Sequence, residues 1–314
     1  MPAVSVRGLA KSYGSLRAVA GVSFEVQPGE VFALLGPNGA GKTTTLEILE
    51  GFRNRDAGEV RVLGIDPGDR RSGPQLRSQL GVVLQELAVE PFLTVRQVLE
   101  RNAGYYPAPR PVGEVIELVG LAEQADRKVK TLSGGQQRRL DVGLGIVGNP
   151  ALLFLDEPTT GLDPAGRRTS WELVRRLAGE GTTVILTTHY MEEAEVLADE
   201  VAIIAGGRIV AHGPPSSLGG RDRGAATIRF QLPTGITRAD LPIRVGGEGQ
   251  AGELRTDREL EALYELTKWA LEHQVQLAGL TVTRHSLEDV YLELTGGEAE
   301  RFGSDSGQSE ALPR

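Results

Sequence analysis

The stretch VFALLGPNGAGKT, Val31–Thr43, decides the reading of this chain. Val31–Leu35 is a continuous apolar run, with the length and character of a strand covered on both faces. GPNGAGKT, Gly36–Thr43, follows at once and fits the pattern G-x-x-x-x-G-K-[ST]. A helix-compatible run, Lys42–Glu50, comes next. Strand, glycine-rich loop and helix therefore stand in the order that a phosphate-binding loop requires. Gly36, Gly39 and Gly41 permit turns that aim successive backbone N–H groups inward, and the following helix presents its positive end to the same point. Lys42 would set a point charge between the β- and γ-phosphates, and Thr43 would offer its hydroxyl to Mg²⁺. An ordinary Gly-rich turn is the plain alternative, and it leaves the flanking strand and helix unexplained.

Outward from this loop, apolar runs of strand length alternate with helical stretches. Strands are expected at Val4–Val6, Ala18–Val26, Val60–Leu63, Gly81–Leu84, Leu152–Leu155, Thr183–Thr187, Val201–Ala205 and Arg208–Ala211. Helices are expected at Thr94–Ala103, Val112–Val119, Gly135–Val147, Pro164–Gly179 and Met191–Ala198. The alternation predicts an α/β domain with a largely parallel sheet. The first two strands, joined near Tyr13–Arg17, are expected to form an antiparallel edge. Strand signals vanish over residues 87–130, where helical periodicity broken by Pro107, Pro109 and Pro111 reads as a helical insertion. Gly213–Pro215 and Gly219–Gly220 punctuate a boundary. Beyond it a small α+β segment is expected: strand Ala226–Leu232, a Gly-rich loop at Gly246–Gly252, helix Asp257–His273, strand Leu280–Arg284 and short helix Ser286–Leu294. The division is thus 1–217, with a helical part over about 86–150, then 218–296, then a tail, 297–314, without apolar periodicity and expected to be disordered.

Composition narrows the classes. The 314 residues are 40% hydrophobic and 24% charged, enough for roughly two domains with a packed core. Forty-two acidic against thirty-four basic residues give a net charge of −8, which argues against a general nucleic-acid binder. There is no cysteine, which excludes disulfides, cysteine zinc sites, iron–sulfur clusters and thiol nucleophiles. MPAVSVRGLA has no signal-peptide core. No run approaches the ~18 apolar residues of a membrane span, so a membrane role is expected to come through a partner.

Two further motifs carry chemistry. LLFLDE, Leu152–Glu157, is an apolar strand ending in two carboxylates. Asp156 fits the Walker B aspartate that holds Mg²⁺. Glu157, beside the metal, fits a general base that orients and deprotonates an attacking water, a contribution of about 10²–10⁴-fold. Its bland alternative is a cap on the following turn. TLSGGQQRRLD, Thr131–Asp141, places Ser133 as a helix N-cap ahead of Gly134 and Gly135. Hydroxyl, glycine amides and helix dipole make a second anion site there, or merely a capped helix.

GPNGAGKT, LSGGQ and LLFLDE, in this order and spacing, resemble the nucleotide-binding subunit of an ATP-binding cassette (ABC) transporter, over about residues 4–213. The resemblance implies a P-loop NTPase fold: a RecA-like core, an antiparallel β edge and a helical subdomain. It implies ATP and Mg²⁺ as ligands. ATP would be held by Gly36, Pro37, Asn38, Gly39, Ala40, Gly41, Lys42, Thr43 and Thr44, with Tyr13 stacked on adenine. Gln85, in GVVLQE, matches the glutamine that links Mg²⁺ and the attacking water to the helical subdomain. Mg²⁺ would thus be organised by Thr43, Gln85 and Asp156. His189, in LTTHYMEEAE, matches the histidine at the γ-phosphate. Catalysis is thereby assigned to Glu157, His189, Lys42 and Gln85. Asp163, in TGLDP, matches a dimer-interface aspartate. In the family two subunits pack head to tail, so Ser133, Gly134, Gly135 and Gln136 would touch the partner's nucleotide in an ATP-bound homodimer.

THYMEEAE, TTGLDP, QQRRLD and the ending HSLEDVYLELTG (His285–Gly296) resemble the drug-exporter branch, of the daunorubicin-resistance type. That implies an ATPase driving a separate multi-span membrane permease from the inner face of a bacterial membrane, exporting a drug, antibiotic or lipid-like molecule, with no nucleic-acid partner. A soluble cassette acting on DNA or ribosomes is the other class. Such proteins usually carry two cassettes or a long coiled coil, and this chain has neither. A regulatory module without turnover is opposed by the intact Glu157 and His189. Gly143, Gly145 and Gly148 depart from the family's more usual alanines, and close helix packing is the plain reading. Arg138 and Arg139 read as ion pairs or interface contacts. Met191–Glu195 reads as a solvated face, and Trp171 and Trp269 as core.

Overall fold

The structure is a computed structural model that describes residues 1–83, 89–218, 226–233, 235–247, 249–283 and 286–295. It divides into two compact units, Met1–Pro215 and Ser216–Glu293.

In the first unit, strands β1 (Val4–Tyr13), β2 (Leu16–Val26) and β4 (Ala57–Val62) form an antiparallel sheet in the order β2-β1-β4. The expected antiparallel edge is therefore present, with one strand more than the sequence suggested. β1 also runs past Val6 to Tyr13. Its pairing with β2 shifts register between Val6 and Leu9 and again before Ser12, which breaks the two-residue alternation that marks a strand in sequence.

The second sheet is the core of the unit, in the order β5-β6-β7-β3-β8-β9. β3 (Val31–Leu35), β5 (Leu80–Val83), β6 (Leu152–Asp156), β7 (Thr183–Thr187) and β8 (Glu200–Ala205) are parallel, and β9 (Arg208–Gly213) returns antiparallel. Every residue of β3 and β7 is buried, as their unbroken apolar runs require. Because the five strands run the same way, their C-terminal ends share one edge of the sheet, where loops can be brought together.

Helices α1 (Lys42–Leu49), α2 (Gly73–Arg77), α6 (Pro164–Gly179) and α7 (Met191–Leu197) connect the strands. The expected helical insertion contains α3 (Val95–Ala103) and α4 (Val112–Leu118), followed by α5 (Gly134–Val147). Val98, Leu99, Val115, Leu121, Leu140 and Ile146 are fully or nearly fully buried among them. Close packing is found at Gly145 of α5, against strand β5 rather than a helix, and at Gly148 just beyond it, but not at Gly143. A Cβ on Gly145 would lie 2.6 Å from the Val83 side chain, and one on Gly148 2.5 Å from the Tyr106 ring.

The second unit is a three-stranded antiparallel sheet, β11-β10-β12, with helix α8 (Glu259–Glu272) packed on it and α9 (Leu287–Thr295) following. β10 spans Ala226–Gln231 and β12 Ala278–Thr283. The loop expected at Gly246–Gly252 ends early, because β11 (Ala251–Thr256) starts inside it. Gly252 is a strand residue opposite Phe230, and a Cβ there would lie 2.8 Å from that ring. The glycine makes room for an aromatic side chain, which a reading of glycine as loop cannot anticipate.

Candidate functional site

The loop Gly36–Gly41 links the buried end of β3 to α1. It folds tightly because two glycines lie against other chain segments. A Cβ on Gly36 would sit 2.3 Å from the Ile204 carbonyl oxygen, and one on Gly41 2.3 Å from that of Ala18. Gly41 also has φ of 105°, in the region that favours glycine. No side chain caps α1 and no acidic residue occupies its first turn, so the positive end of its dipole is not neutralised by the helix itself. Lys42 is 9% exposed, and its Nζ donates to Gly36 O at 2.5 Å and Pro37 O at 3.2 Å. Burial lowers its pKa, and the carboxylates of Glu157 and Asp156 oppose that shift.

β6 delivers Asp156 and Glu157 to the same edge. The hydroxyl of Thr187, at the end of β7, makes a short hydrogen bond to Asp156 Oδ1. Glu157 has φ of 48°, a left-handed conformation that is uncommon for a residue with a Cβ. Its N–H donates to Thr187 O at 3.1 Å. Its carboxylate accepts from Thr160 Oγ1 at 3.2 Å through Oε2, and Oε1 lies 3.3 Å from His189 Nδ1. A cleft of about 240 Å³ is lined by Tyr13, Asn38, Gly39, Gly41, Lys42, Thr43, Thr44, Asp156 and Glu157, with Leu16 and Ala18. The Gly36–Gly41 loop and its helix start, Tyr13 and both carboxylates are thus brought to one place. The Arg53 guanidinium stands 5.2 Å from the Tyr13 ring centroid.

The second anion motif is not in this cleft. Ser133 caps α5: its Oγ accepts from Gln136 N at 3.3 Å, and Gln136 Oε1 accepts from Ser133 N at 2.9 Å. Asp163 caps α6, accepting from Gly166 N at 2.7 Å. Ser133, Gly135 and Asp163 line a separate open cleft of about 460 Å³. Gln85 lies outside the described residues. Among the described residues no cluster of three His, Cys, Asp or Glu side chains forms a metal cage. The hydroxyl and carboxylate donors of Thr43 and Asp156 suit a hard divalent cation that keeps several other ligands.

Four residues have surroundings that the sequence did not indicate. Glu193, expected on a solvated face, is fully buried and accepts from the Trp171 indole at 3.1 Å. Trp171 is half-buried rather than core. Arg138 does pair with Asp141, at 2.7 Å, but also reaches the backbone after β6. Arg139 donates to Gly120 O at 2.9 Å, at the end of the α4 segment. Apart from Arg138–Asp141, these contacts join residues 18 or more positions apart in the chain. Only the i,i+3 spacing of Arg138 and Asp141 was available as a signal.

Residues 19–160 match the ABC transporter family, and residues 226–286 match the C-terminal domain of ABC transporter domain-containing protein-like chains. The chain is 36% identical to the daunorubicin/doxorubicin resistance ATP-binding protein DrrA of Streptomyces peucetius, over 98% of this chain and 97% of that protein. It is 38% identical to the Nod factor export ATP-binding protein I of Burkholderia lata, over 95% of this chain and 98% of that one. Its fold matches the dimeric post-hydrolysis state of the ATP-binding cassette MJ0796 bound to ADP and Pi. That match has a TM-score of 0.61 at 25% identity, covering 67% of this chain and 98% of the other. With the phosphate loop, the paired carboxylates and the capped LSGGQ helix in place on this fold, the chain belongs to the ATP-binding, ATP-hydrolysing subunits of ABC transporters.

Proposed function

We propose that two copies of this chain clamp two ATP molecules between them and use their hydrolysis to drive a separate membrane permease. The observation that carries this reading is the position of Glu157: at the lip of the Lys42 cleft, with His189 Nδ1 3.3 Å from its carboxylate. The two clefts supply the second support. Each motif suits a phosphate, but they lie in separate clefts, and a head-to-tail pair would bring Ser133, Gly134, Gly135 and Gln136 of one copy to the Lys42 cleft of the other. Asp163, lining the same cleft as Ser133, would then lie at the interface.

In the reaction Tyr13 stacks on the adenine, and the backbone N–H groups of Asn38–Thr44 and the Lys42 ammonium hold the β- and γ-phosphates. Thr43 and Asp156, with Gln85, hold Mg²⁺, which when bound neutralises phosphate charge. Glu157 takes the proton of the attacking water as that water adds to the γ-phosphorus and ADP leaves. His189, together with the partner's signature serine, stabilises charge on the γ-phosphoryl oxygens.

No helix among the described residues is long and apolar enough to cross a membrane, which supports a separate permease. We place its contact on the helical part, about residues 86–150 within a 1–217 nucleotide-binding domain, and treat 218–296 as an accessory domain. The names of the relatives, daunorubicin/doxorubicin resistance and Nod factor export, support an exported cargo of drug, antibiotic or lipid-like chemistry, and a permease partner would hold the chain at the inner face of a bacterial membrane. The net charge of −8 and the single cassette do not favour a role on DNA or ribosomes. Glu157→Gln tests the reading. It should retain ATP and accumulate as an ATP-bound dimer in light-scattering chromatography. A monomeric variant of undiminished turnover would refute it.

A further inference from the structure

Arg138 lies on α5, the helix that begins at Ser133. Its guanidinium fans across three successive carbonyls just after β6. Nη2 donates to Asp156 O at 2.8 Å and to Glu157 O at 3.0 Å, and Nε donates to Pro158 O at 3.1 Å. Nη1 is held by Asp141 Oδ2 at 2.7 Å. Both side chains are nearly withdrawn from solvent, at 11% and 10% exposure.

The segment so gripped needs holding. Glu157 sits at φ of 48°, a sparsely populated region for a residue with a Cβ, which persists only where the surroundings over-determine it. Thr187 takes the N–H of Glu157 and Arg138 takes its carbonyl, so the peptide units on both sides of Cα are fixed. With both fixed, so is the direction of the Cα–Cβ bond, and hence where the carboxylate can reach.

A buried Arg–Asp pair is a poor source of net stability, because desolvation offsets most of the attraction. Asp141 shows that cost: burial pushes its carboxyl up to about 6 even with Arg138 beside it. Arg is the side chain whose planar fork can serve several acceptors at once, which a lysine ammonium cannot do in the same geometry.

We propose that Arg138, anchored by Asp141, is the positioning residue that aims the Glu157 carboxylate at the attacking water in its own chain. This rests on the reading of Glu157 as the general base. It also gives α5 two duties. Its N-terminus meets the partner's nucleotide, and its Arg138 holds the base of its own site, so a shift of the helix on one nucleotide moves the carboxylate at the other.

The test is a double-mutant cycle on the full-length protein. Arg138→Met should lower kcat about 10- to 100-fold, the cost of misplacing a reacting group by about an ångström. The ATP KM should stay within about threefold, since the nucleotide cradle is untouched. Arg138→Lys should recover part of kcat. Under single-turnover conditions with enzyme in excess, adding Arg138→Met to Glu157→Gln should change the residual rate by less than about twofold, because residues acting as a unit are not additive. Unchanged kcat in Arg138→Met would overturn the proposal, as would the full loss recurring in the Glu157→Gln background. If Arg138→Met does not fold, Arg138→Lys carries the same cycle at smaller amplitude. A Glu157→Gln protein as active as the parent would instead remove the reading of Glu157 as base, and the proposal with it.

Discussion

The Nδ1 atom of His189 stands 3.3 Å from Oε1 of Glu157, across the ends of β7 and β6. Thr160 already donates to the other oxygen of that carboxylate, and Thr187 holds the Glu157 backbone N–H, so the imidazole joins a side chain tied at both its tip and its backbone. On the proposed mechanism His189→Ala removes a γ-phosphate donor and a neighbour of the base together. Its kcat should fall about 10²-fold or more while ATP affinity changes little. Phosphate release and equilibrium nucleotide binding, measured on the same preparation, check it. Weakened binding with intact kcat would be the wrong pattern.

Lys42 is held by the carbonyls of Gly36 and Pro37 and, among the described residues, is the one basic side chain lining the cleft. Lys42→Ala should abolish measurable turnover. It should also weaken ATP binding by about 1.5–3 kcal/mol, the size of one hydrogen bond to a charged group, or roughly 10- to 150-fold in Kd. Unaltered phosphate release would contradict the assignment.

Glu50, at the end of α1, is 5% exposed, and burial, with Asp156 and Glu47 nearby, pushes its carboxyl up to about 7. The folded chain therefore keeps a proton that the unfolded chain has released between the ordinary carboxylate range and about pH 7. Stability from this group is full below that window and is lost as pH rises through it. Glu50→Gln is neutral throughout. Without magnesium or nucleotide it should match the parent in urea unfolding at low pH, and exceed it by up to about 3 kcal/mol at pH 8. An equal difference at pH 5 and pH 8 would be inconsistent with a buried titrating carboxyl.

Gly145 and Gly143 lie on one helix and should respond oppositely to alanine. A Cβ on Gly145 meets Val83 at 2.6 Å, whereas one on Gly143 meets Leu99, Val115 and Val119 at 3.5 Å, ordinary contact. Gly145→Ala should destabilise by about 1–3 kcal/mol through overpacking. Gly143→Ala should stabilise by about 0.5–1 kcal/mol through helix propensity. Thermal unfolding of the two variants decides it.

Much of the site was legible because its parts are short and local. Val31–Leu35, the glycines that follow and Lys42 need only near neighbours in the chain to define a strand, a turn and a helix start. Ser133 with Gln136 is a cap geometry completed within one helical turn; the Asp163 cap on Gly166 is equally local but was not among the sequence expectations. The misreadings have the opposite character. Gly252 reads as loop in sequence because Phe230, which excludes a Cβ there, is distant in the chain. Glu193 reads as solvated because its partner Trp171 comes from the preceding helix. Thr187 gave no sign of its bond to Asp156, and Gln85 lies outside the described residues.

Alone, then, the order of residues determined the alternation of strands and helices, the phosphate loop, the pair of terminal carboxylates and the helix cap at Ser133. Each of these depends on backbone conformation over a few consecutive residues. Only the tertiary structure decided that Asp156, Glu157, Lys42 and Tyr13 share one cleft while Ser133 and Asp163 share another. The sheet order β6-β7-β3 brings Asp156, Glu157 and Lys42 together, Tyr13 comes from β1 of the other sheet, and strand order is set by the packing of the whole chain. The same is true of Glu50's raised pKa and of Arg138's grip on three carbonyls. Burial and long-range hydrogen bonds exist only after distant segments have been folded against each other.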